Sequence, residues 1–146
     1  MKKMSLLLIS FFAGMFFIQT IQAQETLYKR LGGYDALAVV TDDFVGRLIT
    51  HKDMIKFFTG ASDDTKKRIR MHIIEFLCEK SGGPCNYTGR DMKLSHKGLG
   101  ITEAEWNTAA GLLVGSLNKF KVAKKEQDEL LSFVTTLKKD IVEKMQ

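Results

Sequence analysis

The chain has 146 residues, of which 45% are hydrophobic, and 22 Lys and Arg against 17 Asp and Glu give a formal net charge of +5 at pH 7. The basic residues are spread along the chain without a strongly basic block or interleaved aromatic residues, so the composition does not support nucleic-acid binding. The length suffices for one modest domain with one core and is too small for two.

The N-terminus has the composition of an export signal. Two lysines precede an apolar run from about Met4 to Ile18, and small and polar residues follow as far as Ala23. The run is short for a membrane span, and the tripeptide IQA at its end resembles an A-x-A cleavage site. We expect residues 1–23 to be a cleaved signal peptide and residues 24–146 to be a mature domain that is exported to a periplasm and free of the membrane. An uncleaved N-terminal anchor is the alternative.

The first half of the mature region is predicted to hold two long helices. Apolar residues at three- and four-residue steps predict a helix that begins at a cap on Asp35 and runs to about Thr50. The stretch KDMIKFFTG follows as a short apolar turn. A second helix is predicted over roughly Asp64–Lys80, with an N-cap among the polar residues at 62–64 and a stop at the glycines and proline of SGGP.

The second half is predicted to hold two more long helices behind an irregular segment. The segment NYTGRDMKLSHKGLG contains three glycines, and one short helix is expected around Asp91–His96. A capping box at Thr102–Glu105 starts the third long helix. Its predicted buried face comprises Trp106, Ala109, Ala110, Leu113, Leu117 and Phe120. The fourth helix is marked by Leu130, Val134, Leu137 and Ile141. Because a four-helix protein needs only a short central connection, the long histidine-containing segment indicates that something is held against it.

The two cysteines, Cys78 and Cys85, lie seven residues apart across a glycine-rich turn. An oxidising compartment could join them in a disulfide, or Cys78 could pack as a small apolar residue while Cys85 is a loop thiol. Neither cysteine has a C-x-x-C partner, so thiol redox catalysis and a structural zinc site lack their usual spacing.

Two of the three histidines are candidate functional residues. His51 follows the end of its apolar pattern and is expected at the surface. His72 lies on the apolar stripe of the second helix, together with Ile69, Ile73 and Phe76, and a histidine there needs a partner. It is an ordinary core residue bonded to a carbonyl, a residue at the rim of a pocket, or a metal ligand. His96 lies in the central segment, so the fold could bring both imidazoles to one cavity.

Two histidines suit haem better than zinc, which usually takes three or four protein ligands. Haem needs one or two axial side chains, an apolar slot for its ring and polar groups for its propionates. The candidate slot residues are Phe57, Phe58, Ile69, Ile73, Leu77 and Leu99. From the pattern alone, an ordinary helical core explains the same residues.

An ordered set of motifs resembles the group I truncated haemoglobins. LYKRLGG, DDFVGRL, FFTG, EFL followed by GGP, YTGRDM and HKGLGIT occur in that order between Leu27 and Thr102. The resemblance covers essentially the whole mature chain. It implies an all-α, two-over-two helical sandwich around a non-covalent haem b that binds a diatomic gas, and it leaves the oligomeric state open.

The resemblance assigns roles to individual residues. His96 in SHKGLGIT matches the proximal ligand of the iron. Phe58 matches the phenylalanine that packs on the haem face, with Phe44 close behind it. Leu137 occupies the place of the histidine that links covalently to haem in some relatives. The candidates for the haem propionates are Arg68, Arg70 and Tyr87.

The distal side departs from the family pattern. Val45 stands where members usually have tyrosine, and Ile69 and Ile73 hold positions that often carry glutamine. Donors at such positions retain dioxygen, with about 1.5 to 3 kcal/mol for a hydrogen bond to a charged group and less for a weaker one. Their absence predicts loose oxygen binding or ready autoxidation.

His72 is then the only polar side chain predicted on this helix face, and some cyanobacterial members use a histidine there as a sixth iron ligand. The alternative places His72 at the pocket rim.

The expected function is therefore an exported haem protein that reversibly binds oxygen, nitric oxide or carbon monoxide. One alternative is a nitric oxide dioxygenase, which would need an external reductase because the chain carries no flavin or nicotinamide domain. Another is an electron-transfer protein whose iron is held by two histidines. A third is a helical interaction module that has lost haem binding. Whether the protein is an enzyme is left open.

Overall fold

The computed structural model describes residues 25–144, and the predicted signal peptide lies outside the described residues. Within this range the chain forms seven α-helices and one 3-10 turn, and none of these helices is long and apolar enough to cross a membrane. The elements are α1 (Leu27–Arg30), α2 (Gly33–Thr50), the 3-10 turn (Ile55–Phe57), α3 (Asp63–Lys80), α4 (Met92–His96), α5 (Glu103–Lys119), α6 (Lys124–Thr136) and α7 (Lys138–Ile141). The predicted all-α class is confirmed.

Side-chain caps start three of the helices where the sequence predicts them. The Ser62 hydroxyl accepts a backbone N–H in the first turn of α3. Asp91 Oδ1 accepts the Leu94 N–H at 2.7 Å and starts α4. At α5 the capping box is complete, because Thr102 Oγ1 accepts the Glu105 N–H at 3.3 Å and Glu105 Oε2 accepts the Thr102 N–H at 2.8 Å. Each such cap stabilises its helix by about 1 kcal/mol.

Glycine at position 32 allows α1 and α2 to follow each other with only two residues between them. Gly32 has a φ of 96°, in the left-handed region that favours glycine, and a Cβ there would lie 2.9 Å from the Ala36 Cβ. Helix α2 consequently begins at Gly33, two residues before the predicted cap at Asp35. Helix α1 is too short to show a periodic pattern and was not predicted.

Two expectations about the C-terminal half were wrong. The predicted fourth helix is divided at Leu137 into α6 and α7, because the Leu137 N–H bonds to the carbonyl of Val134 and tightens the last turn of α6. Phe120, predicted on the buried face of α5, is 38% exposed. It caps the C-terminus of that helix, where the chain turns away from the core.

Helix α2 lies at the centre of the fold. It packs against α3 and α5, while α1 contacts α2 and α6, and α4 contacts α7. The core comprises Leu27, Leu31, Leu37, Val40, Ile74, Leu77, Cys78, Leu113, Leu117 and Leu130.

A polar link joins α2 to α5, since Asp43 accepts hydrogen bonds from the Ser116 hydroxyl at 2.8 Å and from Lys119 at 2.5 Å. Hydrogen bonds from Lys119, Arg47 and Ser116 hold the pKa of Asp43 well below its usual range.

Cys78 and Cys85 form a disulfide that closes the turn after α3. Their Cα atoms lie 5.7 Å apart, and the structure therefore decides between the two alternatives that the sequence left open. The turn passes so close to the bridge that a Cβ on Gly83 would lie 2.7 Å from Cys78 Sγ and 2.6 Å from the Tyr28 ring. The disulfide thus ties the end of α3 to the segment that leads towards Tyr87.

Candidate functional site

His96 is held in one orientation at the end of α4. Its Nδ1 lies 2.8 Å from the carbonyl oxygen of Met92, one helical turn earlier. A carbonyl oxygen can only accept, so Nδ1 carries the proton and Nε2 keeps its lone pair. The Ser95 hydroxyl, 3.2 Å from the same nitrogen, donates to the Asp91 carbonyl at 2.8 Å. A fixed tautomer of this kind is typical of a histidine that binds a metal through its second nitrogen.

His72 has a less settled environment on α3. Its side chain is 32% exposed, yet its Nδ1 is buried and makes no hydrogen bond. The nearest carboxylate oxygen, Glu75 Oε2, lies 3.5 Å from Nδ1. That separation is longer than a normal hydrogen bond, so the imidazole is uncommitted. An uncommitted buried nitrogen is uncommon in a native protein and is consistent with a residue that faces a ligand.

Tyr87 is tied to the protein at both ends. Its hydroxyl donates to the carbonyl of Arg90 at 2.7 Å, and its N–H donates to Glu79 Oε2 at 2.7 Å. Burial raises the pKa of the Tyr87 hydroxyl. The ring meets His72 and Phe76 edge-on, with centroid distances of 5.8 and 5.1 Å. The contacts place Tyr87 beside His72, while its predicted bond to a propionate stays a prediction.

The predicted slot residues differ in burial. Phe57, Phe58, Ile69, Ile73 and Phe44 are half-buried, and of these Phe44 and Ile73 pack against the core. Val45 and Leu77 are buried, with 9% and 6% exposure, and Leu77 belongs to the core itself. Leu99, at 44% exposure, lies in the loop after α4. The half-buried apolar side chains of α2, α3 and the 3-10 turn are suited to cover a flat apolar group.

The two candidate arginines are not equivalent. Arg70 makes two hydrogen bonds to the Asp42 carboxylate, one of them from Nη2 to Oδ2 at 2.9 Å. This pairing raises the pKa of Arg70 and lowers that of Asp42. Arg68 is exposed and forms no ion pair with any residue of the range 25–144. Arg68 therefore has the guanidinium that is available to an anionic group.

These residues fit a haem. Among residues 25–144, no three His, Cys, Asp or Glu side chains form a metal-binding group. Haem iron needs only one protein imidazole with a free lone pair, which His96 Nε2 provides, and half-buried apolar side chains lie on α2, on α3 and at the 3-10 turn. The fold and the site thus define the class of all-α haem proteins.

Comparison with known proteins identifies the family. The bacterial-like globin family model matches residues 26–143. The group 1 truncated haemoglobin GlbN of Mycolicibacterium paratuberculosis is 34% identical over 116 residues, which cover 80% of this chain and 83% of the relative. GlbN of Nostoc commune is 30% identical over 120 residues, 82% of this chain and 99% of the relative. The chain belongs to the bacterial-like globins and, within them, to the group 1 truncated haemoglobins.

Solved structures agree on the fold. Truncated haemoglobin from Tetrahymena pyriformis in its Fe(III) form has a TM-score of 0.76 at 22% identity and covers 82% of this chain and 100% of its own. The 2/2 haemoglobin of a Synechococcus species, in a cyanomet state with covalently attached haem, has a TM-score of 0.74 at 23% identity, with the same coverage. The predicted two-over-two fold is confirmed, and membership of the family implies haem and the binding of a diatomic gas.

Several contacts at the site were not predicted from the sequence. The acceptor for His96 is a backbone carbonyl, that of Met92, which leaves no signature beyond the spacing of one helical turn. Glu75 follows His72 by three residues, which places both on one helix face, but this spacing alone does not show how close the two side chains lie. Glu79 bonds to Tyr87 only because the disulfide turn brings the chain back beside α3.

Proposed function

We propose that the mature chain, residues 24–146, is an exported haem protein that reversibly binds a diatomic gas, with His96 as the proximal ligand. The hydrogen bond from His96 Nδ1 to the Met92 carbonyl carries this proposal, because it presents Nε2 as the lone-pair donor. Bound haem would supply an iron with a coordination position for the gas. Export rests on the composition of residues 1–23.

We further propose that His72 competes with the gas as a sixth ligand. Support comes from its buried, unbonded Nδ1 and from the apolar Ile69 and Ile73 on the same helix face, which offer the imidazole no competing partner. The alternative role, at the pocket rim, predicts that His72 never reaches the iron.

The gas is proposed to be nitric oxide or carbon monoxide rather than stored oxygen. Val45 is buried and apolar, and neither Ile69 nor Ile73 can donate a hydrogen bond. A pocket in which these three positions offer no donor discriminates least against nitric oxide and carbon monoxide, whereas retention of dioxygen depends on donors.

Haem b held without a covalent bond is proposed because Leu137, between α6 and α7, offers no nucleophile. Extraction into acidified organic solvent tests this point. Free protoporphyrin iron in the organic phase supports it, and haem that stays with the protein contradicts it.

Electron transfer is the second candidate function, and the uncommitted imidazole of His72 favours it. Iron held by both His72 and His96 would need no open position.

Conversion of nitric oxide and oxygen to nitrate would instead need an external reductase. Loss of nitric oxide on repeated addition to an oxygenated sample supplied with a reductant would support the enzyme, and a single stoichiometric loss would exclude it.

Absorption spectra of the haem-titrated mature protein test the proposal. We expect a Soret band that saturates at one haem per chain. Ferrous wild type should be six-coordinate, His72→Ala five-coordinate, and His51→Ala, a control away from the apolar stripe, unchanged from wild type. A ferrous spectrum that His72→Ala leaves unaltered would exclude internal ligation. No Soret band in any variant would falsify the haem proposal.

A further inference from the structure

The C-terminal segment of the described chain is bonded to the start of α5. The N–H groups of Glu143 and Lys144 both donate to the carbonyl of Ile101, at 2.9 and 3.2 Å. The Glu103 N–H donates to the carbonyl of Lys144 at 3.3 Å, and Thr102 forms a parallel bridge with Lys144. The backbone of Glu143 is therefore fixed beside the loop that joins α4 to α5.

The Glu143 carboxylate accepts hydrogen bonds from this loop with both of its oxygens. Oε1 accepts the Gly98 N–H at 2.7 Å, and Oε2 accepts the Gly100 N–H at 2.6 Å. Both glycines have positive φ, 82° and 65°, a conformation that few other residues adopt without strain. The two amides hold the pKa of Glu143 below its usual range, and Lys144 and Lys97 add to the effect. Hydrogen bonds to an ionised carboxylate are among the strong ones in proteins.

The loop begins directly after the proximal histidine. Helix α4 has five residues, and its start is fixed by the Asp91 cap. At its end, Lys97 leaves the helical conformation, and only a single turn follows, in which the Leu99 N–H donates to the His96 carbonyl at 3.2 Å. Gly98 and Gly100 link this end of α4 to Glu143, which lies just beyond α7. Helix α4 also packs against α7.

We propose that Glu143 is a positioning residue for His96, because its carboxylate holds the loop that sets the direction of the proximal imidazole at the haem iron. The inference rests on the proposed role of His96 as proximal ligand. In this role Glu143 acts through the backbone of residues 98–100 and needs no contact with haem or gas. An anchor for the C-terminus alone would stabilise the protein without affecting the bond between iron and histidine.

The test uses haem-loaded protein with His72→Ala as background, so that His96 is the only imidazole expected at the ferrous iron. Glu143→Ala removes both acceptors, and Glu143→Gln keeps one oxygen. Glu103→Gln is the matched control, because it removes one negative charge at the same end of the molecule. The Glu103 carboxylate pairs with Lys138 at 2.5 Å, and its side chain makes no bond to the loop. The two readouts are the iron–histidine stretching band in resonance Raman spectra and amide hydrogen exchange across residues 97–101.

In Glu143→Ala we expect the stretching band to broaden and move to lower frequency, and the Gly98 and Gly100 amides to exchange about tenfold faster or more. Glu143→Gln should give a smaller change in both, and Glu103→Gln none. If the background protein lacks the band, the proposed function fails. If the band is present and Glu143→Ala leaves it unaltered, the positioning role is excluded. Should Glu143→Ala not fold, Glu143→Gln against Glu103→Gln decides by the same criterion.

Discussion

At the scale of single residues, Val45 is the most informative position of the proposed distal face, because the family resemblance implies a tyrosine there. The side chain is 9% exposed on α2, one position after Phe44, and it offers no hydrogen bond to a bound gas. A donor at this position should retain oxygen for longer. Substitution therefore tests whether the apolar character of the pocket governs ligand release.

Val45→Tyr is expected to slow oxygen dissociation from the ferrous protein by about tenfold, since a hydrogen bond to a partly charged ligand contributes about 1.5 kcal/mol or more. The larger ring should also destabilise the fold by about 1 to 3 kcal/mol through overpacking. Val45→Phe introduces the same ring without the hydroxyl and serves as the control. Stopped-flow displacement by carbon monoxide measures the rate. Equal rates in the two variants would show that a donor at this position has no effect.

The two histidines show what the sequence could and could not predict at this scale. The motif around His96 predicts that it is the proximal ligand, and this stays a prediction, whereas its tautomer depends on a backbone carbonyl that no residue type encodes. The apolar neighbours of His72 were predicted correctly, as Ile69 and Ile73 are both half-buried. Its distance from Glu75 depends on side-chain rotamers that the helical spacing alone does not determine.

Among the structural elements, the turn after α3 is the one that depends on a covalent bond. The Cys78–Cys85 disulfide closes a loop of about eight residues, and Cys78 is fully buried in the core. In the chain-entropy model such a loop stabilises the folded state by about 2 to 3 kcal/mol.

Reduction of the disulfide is expected to lower the free energy of unfolding by about that amount. Urea unfolding with and without a thiol reductant measures the difference. A Cys78→Ala, Cys85→Ala variant should unfold at the same urea concentration under both conditions, which controls for other effects of the reductant. Identical midpoints for reduced and oxidised wild type would contradict a stabilising bridge.

Helices were predictable from the sequence where their signals were local. The caps at Ser62, Asp91 and Thr102 each bond within one turn, and all three starts were predicted to within a residue or two. The division at Leu137 was missed because its apolar period continues unbroken through the turn. The bonds of Glu143 to Gly98 and Gly100 join residues more than 40 positions apart, a separation at which no periodicity carries information.

At the scale of the whole molecule, the buried carboxylate of Glu105 makes stability depend on pH. A hydrogen bond from Lys56, followed by one from the Thr102 N–H, lowers the pKa of Glu105 from its ordinary value of 4.5 to about 2. Because the pKa is lower in the folded state, the contribution of Glu105 to stability is fully present above about pH 4.5. It is lost as the pH falls towards 2.

The melting temperature should therefore fall between pH 5 and pH 2.5, and less steeply in Lys56→Met than in wild type. Lys56 connects the 3-10 turn to α5, so this variant should also melt lower at pH 7. Lys52→Met removes a nearby exposed charge without breaking an ion pair among the described residues and should resemble wild type. Thermal unfolding followed by circular dichroism measures all three. Parallel pH profiles for Lys56→Met and wild type would refute the role of this pair.

The assembly of the helices followed from the family resemblance and not from the pattern. Periodicity predicted which face of each long helix is apolar, and Leu113, Leu117 and Leu130 are indeed buried. It could not predict that α2 packs against both α3 and α5, because several arrangements of four amphipathic helices bury the same faces. The order of the six motifs implied the two-over-two sandwich, whereas the packing of α2 against α5 is known from the structure.

The central claim is that His96 is the proximal ligand of the haem iron. The most direct test replaces His96 with glycine and asks whether free imidazole restores the spectrum. Haem-loaded His72→Ala, His96→Gly protein has no protein imidazole at either proposed position, and added imidazole can enter the space left by the removed ring. We expect the ferrous spectrum of this variant to differ from that of His72→Ala. Added imidazole should then restore the five-coordinate spectrum of His72→Ala. A spectrum identical to that of His72→Ala before any imidazole is added would show that His96 is not the ligand.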